Sequence, residues 1–513
     1  MKTNLQKELS KVLKTHFSDH KQKRSRIVGW AQSLAPYPKI SKDARMFLDK
    51  KIICDLFEGN APLTPRYILP DYKLFLSQGS EYLNLPPAKD LYQAINSLLI
   101  LYQYVPSVTG YPVYLGNIDT LLEPYISATN SNSISENEIY NLLKLYLTNI
   151  DRTLSNAFVH LNIGPTKTII GEQILKIEKE LKNSVPNLSL KIDEHTDRSF
   201  ILTAIDTALT TAKPYFVNHT ILSKELPFEY GVASCYNTLQ VGGGSHTLVR
   251  VNLKAVAEEY ASSTHTTHAT HAPHAQFETL LTKVLNAQVE IINARARFLI
   301  EEINFFNDSF LAREKLINLD KFTSMAGIFG LYECIEILSD GGLKLGQDLV
   351  AEEYAMEILK IIHQTLKANK IGFHAQSGID SDTDTTPGVR IKTSSSSSSL
   401  SLSKQLKIAG TLHQYFDTGV SDIVVFDQTS HKNHQGVLTI IEGALKAGVK
   451  VLSINAVDSE LIRVSGYLIK RSDLKKYQEG IPLRDESVAL GANSIQRQNI
   501  LGRKQFPIAN KDY

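Results

Sequence analysis

Segments with helical periodicity alternate with short strand-like runs along most of this chain of 513 residues, and this alternation restricts its fold more than any other feature. Helices are predicted at residues 88–105 and 137–161 and from residue 277 onward. Strand-like runs lie at residues 214–218 and 422–426. Helices and strands that alternate over this length predict an α/β fold.

Composition restricts the classes of partner. Lys and Arg total 55 against 53 Asp and Glu, so the net charge of +2 gives no electrostatic reason to expect binding to nucleic acid or to a membrane. Three cysteines without a disulfide framework indicate a reducing compartment. No apolar run approaches the length of a membrane span, and the N-terminus has no apolar h-region. We therefore expect a cytoplasmic protein.

A glycine near the C-terminus follows a clear pair of regular elements. A helix predicted at residues 438–448 leads into the buried-strand pattern of residues 449–455. After a short connection comes the pentapeptide Arg463-Val464-Ser465-Gly466-Tyr467. Taken alone, a glycine in this setting predicts no more than a turn.

The three cysteines differ in their surroundings. Cys54 and Cys334 lie in apolar segments predicted to be helical, where cysteine usually behaves as a small buried hydrophobe. Cys235 instead follows Gly231 and precedes the triple glycine at residues 242–244 and a strand-like run at 247–253. A cysteine on an irregular loop between regular elements is where a reactive group is expected.

A cysteine loop at Cys235 followed by a C-terminal Arg-Val-x-Gly-Tyr loop resembles the glycyl radical enzymes. Residues 116–125, which contain a glycine, an aspartate and a proline-aromatic ending, and the helix-strand pair at 436–455 are similar to segments of the same family. The chain looks most like the YjjI-type family of glycine radical proteins, a branch related to anaerobic ribonucleotide reductase. The resemblance covers residues from about 88 to 470.

The resemblance implies a specific fold. It sharpens the α/β prediction to a ten-stranded α/β barrel of two antiparallel five-stranded halves, with the cysteine and glycine loops inside. We expect an N-terminal helical region over residues 1–87 and the barrel over 88–513, including a C-terminal glycine radical region at 430–513.

The resemblance also implies a chemistry. A radical on Gly466 would be stabilised by its flanking amide and carbonyl, and a residue without a Cβ gives it a planar, unhindered centre. A separate activating enzyme, which uses an iron–sulfur cluster and S-adenosylmethionine, would generate this radical under anaerobic conditions. The radical would pass to Cys235, whose thiyl abstracts hydrogen from an unidentified small-molecule substrate. We expect no bound cofactor and no metal, and a homodimer is one assembly that the resemblance allows.

Polar residues beside apolar strand-like runs are the candidates for binding substrate. They are His160, Asn162, Asn218, His219 and Asn237.

The neighbours of Cys235 separate the branches of the family. Ser234 replaces the second cysteine of lyases of the pyruvate-formate type, and Asn237 replaces the glutamate base of the dehydratases. An amide cannot accept a proton as a carboxylate does. Nucleotide reduction of the anaerobic ribonucleotide reductase kind stays an alternative, although no cysteine follows Cys334 to build that family's C-terminal zinc site. A catalytically silent binding or scaffold relative is a second alternative, and a redox role for Cys54 stays open.

Two low-complexity tracts interrupt the pattern. In residues 265–274 four histidines recur at every third position, and a polyproline-II helix would align them on one face that could bind a transition metal. We favour a surface insertion, because such tracts cannot pack a core. Residues 394–399 are all serine and predict a flexible loop.

Overall fold

A computed structural model gives the architecture of the chain. The structure describes all residues except 1, 15–19, 56–63, 109–113, 129–133, 155–158, 234–236, 265–274, 374–399, 420–422, 465–466, 482, 485–487, 490, 493–494, 496–504 and 509–513. Cys235, Gly466 and both low-complexity tracts therefore lie outside the described residues.

The helices differ in length, from single turns to the 23-residue α12. They are Lys2–Leu13 (α1), His20–Gln32 (α2), Lys42–Asp49 (α3), Tyr72–Gln78 (α4), Leu91–Val108 (α5), Ile118–Ala128 (α6), Glu136–Thr153 (α7), Ile169–Leu181 (α8), Arg198–Thr211 (α9), His219–Glu225 (α10), Leu253–Thr264 (α11), Ala275–Arg297 (α12), Phe305–Asp308 (α13), Phe310–Arg313 (α14), Leu331–Leu338 (α15), Leu349–Ala368 (α16), Leu402–His413 (α17), His434–Lys446 (α18) and Arg471–Gln478 (α19).

The strands are short, and most are buried along their whole length. They are Ile53–Asp55 (β1), Tyr67–Leu69 (β2), Tyr114–Asn117 (β3), His160–Ile163 (β4), Asn187–Ile192 (β5), Tyr215–Asn218 (β6), Tyr230–Ala233 (β7), Asn237–Gln240 (β8), Gly243–Asn252 (β9), Phe322–Phe329 (β10), Gly372–Phe373 (β11), Ile423–Phe426 (β12), Val451–Ala456 (β13), Leu461–Arg463 (β14), Leu468–Lys470 (β15) and Gln505–Phe506 (β16).

The larger sheet has seven described strands in the order β16-β12-β13-β6-β5-β4-β3. Strands β3 to β6 are parallel, and β13 runs antiparallel to β6 while β12 and β16 run parallel to β13. Helices α6 to α9 connect the parallel strands, which is the connection that parallel strands require. The amino ends of β4, β5 and β6 therefore lie along one edge of the sheet and their carboxyl ends along the other.

The smaller sheet has five described strands and is centred on β9. Strands β1 and β2 pair antiparallel to β9, while β10 pairs parallel to β9 and β11 parallel to β10. Helix α12 packs on this sheet, and the buried Gln288 on it donates from Nε2 to the carbonyls of Val249 (2.8 Å) and Gly327 (3.3 Å). That amide fastens the helix to two neighbouring strands.

The hairpin of β7 and β8 contacts both sheets. The side chain of Asn162 on β4 forms hydrogen bonds with the backbone of β7. Asn237 on β8 donates from Nδ2 to the hydroxyl of Tyr67 on β2 at 3.1 Å. One hydrophobic cluster contains Ala233 and Leu239 of the hairpin together with Leu248 of β9. The hairpin therefore lies between the two sheets.

The α/β prediction is confirmed, and the structure corrects two of its details. The helix predicted at residues 137–161 ends at Thr153, and His160 begins β4. Cys54 lies on β1 rather than on a helix, whereas Cys334 lies buried in α15 as predicted.

The sheets have seven and five described strands rather than the five and five of the expected barrel halves. Two strands from residues 1–87, β1 and β2, pair with β9. The division of the chain at residue 87 stays a prediction.

Replacing the histidine-rich tract with a shorter linker should leave folding and radical yield unchanged. Helix α11 extends to Thr264 and α12 begins at Ala275, so a change confined to residues 265–274 spares both helices. Loop-closure free energy depends only weakly on loop length and changes by about 0.6 kcal/mol when the length is halved. Thermal unfolding, and radical yield after activation, would check this for a five-residue Gly-Ser linker. A loss of radical yield with the fold intact would show that the histidines have a function.

Across the described part of the chain, no helix combines the length and the apolar character that crossing a bilayer requires.

Candidate active site

Strand β7 is held against the larger sheet by side chains instead of by a backbone ladder. Among the described strands it pairs only with β8, in register from Tyr230 opposite Gln240 to Ala233 opposite Asn237. The amide of Asn162 bonds Val232 on both sides: Oδ1 accepts from its N–H at 2.7 Å, and Nδ2 donates to its carbonyl at 2.9 Å. Asn162 thus supplies the donor and the acceptor that a neighbouring peptide group would give.

Gly231, the residue before Val232, packs directly against the ring of Tyr114. A Cβ at Gly231 would overlap the ring of Tyr114, so only glycine permits this approach. The hydroxyl of Tyr114 donates to Oδ1 of Asn117 at 3.0 Å and lies 3.4 Å from Oδ1 of Asn162. Ring and amide together fix the separation between β7 and the sheet.

A buried lysine holds the first residue of β7. Nζ of Lys191 donates to the carbonyl of Tyr230 at 2.8 Å and to Oδ1 of Asn117 at 3.0 Å, and it lies 4.2 Å from the centroid of the Tyr230 ring. Burial lowers the pKa of Lys191 to about 8, against the opposing charges of Glu229 and Asp119. Burial likewise raises the pKa of Asp119 to about 7. The start of β7 is therefore anchored near the carboxyl ends of β3 and β5.

Strands β14 and β15 form a second hairpin. Leu461 pairs with Lys470 and Arg463 with Leu468, and the N–H of Val464 donates to the carbonyl of Tyr467 at 3.0 Å. Ser465 and Gly466 join these two residues and lie outside the described ones. Apolar side chains of this hairpin form a separate small cluster with α19; its buried members are Ile462, Val464, Tyr467, Ile469, Leu474 and Ile495.

Arg463 attaches the second hairpin to the larger sheet. Its guanidinium is fully buried, donates from Nε to the carbonyl of Ala212 at 3.0 Å and lies 3.9 Å from the centroid of the Tyr215 ring. Its second terminal nitrogen is 3.4 Å from Oδ1 of Asn187. Asn187 and Tyr215 are the first residues of β5 and β6, so this hairpin docks at the amino ends of the parallel strands.

His160 lies beside this docking point. Its ring stacks on Tyr215 with centroids 5.5 Å apart and planes 3° from parallel, and its Nε2 is 2.7 Å from Oγ of Ser189. Burial, assisted by the charges of Arg463 and Lys213, holds the pKa of His160 well below its usual value near 6.5. Nδ1 is buried without a hydrogen-bond partner among the residues that the structure describes.

Strand β4 contacts the first hairpin directly and is linked to the second through Tyr215 of β6. Val232 is hydrogen-bonded to Asn162 of β4. His160, two residues away on the same face of β4, stacks on the ring of Tyr215, which Arg463 contacts on its own side. Strand β7 runs from Lys191, near the carboxyl edge, towards the amino end of β4. The first hairpin therefore contacts β4 from the carboxyl edge, and the second docks at the amino ends of β5 and β6, where the Tyr215 ring separates Arg463 from His160.

The remaining predicted binding residues lie in different settings. Asn218 caps α10 by accepting from the N–H of Ile221 at 3.2 Å and donates to the carbonyls of Leu445 and Val449. Nδ1 of His219 is 2.7 Å from the hydroxyl of Tyr230, and burial lowers the pKa of His219. A role in binding substrate stays a prediction for each of the five candidates, of which His160 and Asn162 lie between the hairpins.

The sequence analysis missed Lys191, Tyr114 and Tyr215. Lys191 carried a signal, because it lies between Leu190 and Ile192 in a strand-like run, where a buried ammonium needs partners. The two tyrosines carried none, since aromatic residues in strands normally fill a core.

Lowering the pH should destabilise the fold partly through His160. The folded protein keeps this imidazole neutral while the unfolded chain takes up a proton below pH 6.5, so stability falls as pH falls from 6.5 towards the depressed pKa. His160→Gln cannot take up that proton, so its free energy of unfolding should fall less steeply as the pH is lowered. The difference in slope between the two proteins should reach up to about 1.4 kcal/mol per pH unit.

Urea unfolding between pH 5 and 7.5 would measure this difference. Asp119, whose raised pKa gives the opposite pH dependence, is present in both proteins and cancels. His195→Gln, with a side chain 85% exposed, is the matched control and should leave the slope unchanged. Parallel curves for the wild type and His160→Gln would contradict the prediction.

No group of three His, Cys, Asp or Glu side chains within the described segments is arranged to hold a metal ion.

Solved structures share the fold of this chain at low sequence identity. An anaerobic ribonucleotide reductase superposes with a TM-score of 0.66 at 12% identity, over 85% of this chain and 81% of the other. A structure described as 1,2-propanediol dehydration in Roseburia inulinivorans gives a TM-score of 0.70 at 10% identity, over 95% of this chain and 86% of the other. The B12-independent glycerol dehydratase from Clostridium butyricum gives 0.65 at 12% identity, over 91% and 83%. At these identities the likeness shows the fold alone.

Sequence comparison is more specific. The Escherichia coli K12 protein YjjI, described as uncharacterized, is 36% identical over 521 residues, which cover 99% of this chain and 97% of that protein. An uncharacterized Haemophilus influenzae protein is 37% identical over 473 residues, covering 89% and 88%. The family described as "Glycyl radical enzyme YjjI-like" matches residues 18–506. The chain therefore belongs to the YjjI-like glycyl radical enzyme family.

Proposed function

We propose that this protein is an anaerobic radical enzyme in which Gly466 stores the radical and Cys235 delivers it to a small-molecule substrate. The observation that carries the proposal is the approach of two hairpins to neighbouring strands of the larger sheet. Val232 of β7, which precedes Cys235, is hydrogen-bonded to Asn162, and Arg463 of β14, which precedes Gly466, contacts Tyr215, on which His160 stacks. Membership of the YjjI-like family supports a radical at the glycine.

The proposed steps conserve atoms and electrons. An activating enzyme with an iron–sulfur cluster uses S-adenosylmethionine to remove one hydrogen atom from the α-carbon of Gly466. The Gly466 radical then takes the hydrogen of the Cys235 thiol, so that one C–H bond forms and one S–H bond breaks. The Cys235 thiyl removes a hydrogen atom from a substrate carbon, which forms the S–H bond again and leaves a substrate radical. Return of a hydrogen atom to the product radical restores the thiyl.

The proposed surroundings protect these radicals. The family fold encloses both loops in a ten-stranded barrel of two five-stranded halves, and we assign the two sheets of this chain to its walls. Exclusion of water and oxygen from such an interior prevents side reactions of the radicals. An anaerobic cytoplasm, a separate activating protein and a homodimeric assembly complete the proposal.

His160 is the residue we propose for contact with the substrate. Its Nδ1 is fully buried and carries no hydrogen bond within the described part of the chain, while Nε2 engages Ser189. A Ser189 hydroxyl that donates to Nε2 leaves the proton on Nδ1, and one that accepts from Nε2 leaves Nδ1 as an acceptor. The imidazole can therefore donate to or accept from a substrate oxygen while it stays neutral.

The reaction we propose does not use a carboxylate next to the cysteine loop. The amide of Asn237 stands where the dehydratases carry their glutamate, and it donates to Tyr67. Nucleotide reduction is the alternative reaction, and an anaerobic ribonucleotide reductase is among the solved structures that share the fold.

Anaerobic activation followed by exposure to a cell extract tests the function. The activated protein should show a glycyl radical doublet by electron paramagnetic resonance, and mass spectrometry should find one small metabolite consumed. Consumption of a ribonucleoside triphosphate would establish the alternative reaction. Absence of the doublet after treatment with a competent activating enzyme would refute the proposal.

A further inference from the structure

We propose that Asn162 is a positioning residue that sets the distance over which hydrogen passes between Gly466 and Cys235. This inference rests on the proposed function and assigns a role that the radical chemistry alone does not require. A strand in a sheet is normally aligned by backbone hydrogen bonds to a neighbouring strand. Strand β7 has that alignment only with β8 among the described strands.

The hydrogen-bonded connection of β7 to the larger sheet depends on a few side chains, beside the apolar packing of Tyr230 and Val232 against Tyr215, Val217 and Val451. Asn162 contributes two hydrogen bonds to Val232, of 2.7 and 2.9 Å, and it is fully buried. Lys191 contributes one to Tyr230, two residues earlier and near the carboxyl edge. Asn162 is therefore the last of these attachments before Ala233, after which the chain enters the connection that contains Cys235.

The position of Asn162 on β4 gives these bonds their significance. His160, two residues before it, stacks on the ring that contacts Arg463 of the glycine hairpin. One sheet thus supports both hairpins: β4 holds β7 directly, and through His160 and Tyr215 it is linked to the point where the glycine hairpin docks. Hydrogen transfer requires the reacting atoms to be in near contact, and an error of about 1 Å can cost on the order of 100-fold in rate.

Deuterium exchange measures this transfer without a substrate. In D2O the thiol of Cys235 carries deuterium, and the Gly466 radical takes it to form a C–D bond. The resulting thiyl then removes the remaining hydrogen from the same α-carbon, and the S–H formed exchanges with solvent. Repeated passage converts the doublet into a narrower signal, because deuterium couples more weakly than hydrogen. The rate of narrowing reports how well the two residues are aligned.

Asn162→Leu removes both bonds to Val232 at nearly constant volume. We expect the activated variant to give a doublet whose narrowing in D2O is at least 10-fold slower than in the wild type. Gln288→Met is the matched control, since it removes another fully buried amide that bonds two backbone carbonyls, in the other sheet. If each buried amide has only a structural role, narrowing of the doublet should slow equally in both variants. If Asn162 positions the cysteine hairpin, narrowing should slow only in Asn162→Leu.

Gly231→Ala provides an independent disturbance of β7 if Asn162→Leu does not fold. The added Cβ would overlap Tyr114 and lift β7 from the sheet without changing Asn162. The doublet of this variant should also narrow at least 10-fold more slowly in D2O than that of the wild type.

Each result decides the matter. A wild-type rate in Asn162→Leu, or in Gly231→Ala where only that variant folds, would overturn the positioning role, and so would equal slowing in Gln288→Met. A wild-type doublet that never narrows in D2O would refute hydrogen exchange with a thiol and the positioning role with it. A wild type without any doublet would instead refute the radical function itself, which keeps the two failures distinguishable.

Discussion

Gly466→Ala should abolish the glycyl radical doublet completely. In the wild type the unpaired electron couples to the single hydrogen left on the α-carbon, which splits the signal in two. An added methyl group replaces one of the two α-hydrogens, obstructs planarity at the radical centre and alters the site that the activating enzyme must reach. Turnover should be lost with the signal, and exposure of the activated wild type to air should cleave its chain near Ser465, whereas the variant stays intact.

Gly443→Ala is the matched control for this substitution. Gly443 lies inside α18, and a Cβ there would meet no atom within 4 Å, so the substitution should preserve the radical. Alanine should even stabilise the helix by about 1 kcal/mol. An unchanged doublet in Gly466→Ala would refute the assignment of the radical to this residue.

Cys235→Ser should preserve the doublet and eliminate turnover. A hydroxyl O–H bond is too strong for the glycyl radical to break, so the radical would form and stay on Gly466. Narrowing of the doublet in D2O should cease for the same reason. Radical yield, deuterium exchange and consumption of the metabolite, measured on one preparation, would separate storage of the radical from its delivery.

The other two cysteines are the controls. Cys334→Ser introduces a hydroxyl into a fully buried position of α15 and should cost about 1 kcal/mol of stability without affecting the radical. Cys54→Ser on β1 should behave similarly. Loss of turnover in Cys54→Ser with the radical and fold intact would make Cys54 a redox participant and favour nucleotide reduction.

The sequence predicted the elements that carry the site better than it predicted the contacts among them. The strand expected at residues 214–218 is β6, and the helix and strand expected at 438–455 are α18 and β13. Both strands are buried along their whole length, and α18 buries one apolar face, so each shows a clear pattern in the sequence. The helix expected to reach residue 161 was too long. The apolar residues before His160 fit either a helix or a buried strand, and periodicity alone does not distinguish the two.

The polar site was predicted in part for a similar reason. His160 and Asn162 stand out in sequence, because a polar residue inside an apolar run must be satisfied when it is buried. Arg463 belonged to a recognisable pentapeptide, but its contacts with Ala212 and Tyr215 join residues about 250 positions apart. No local pattern encodes such a pairing, which depends on how the sheet brings the amino ends of β5 and β6 together.

The two hairpins approach the larger sheet from opposite ends of its parallel strands. The place where the radical would be installed is therefore separate from the contacts that hold the cysteine hairpin. The glycine hairpin has its own apolar cluster and meets the sheet through Arg463 at the amino edge, whereas the contacts of β7 begin at Lys191 near the carboxyl edge. In the proposed function an activating enzyme would load the radical at the amino ends of the strands, while Asn162 and Lys191 hold β7. We therefore expect installation of the radical to leave the contacts of β7 with the sheet unchanged.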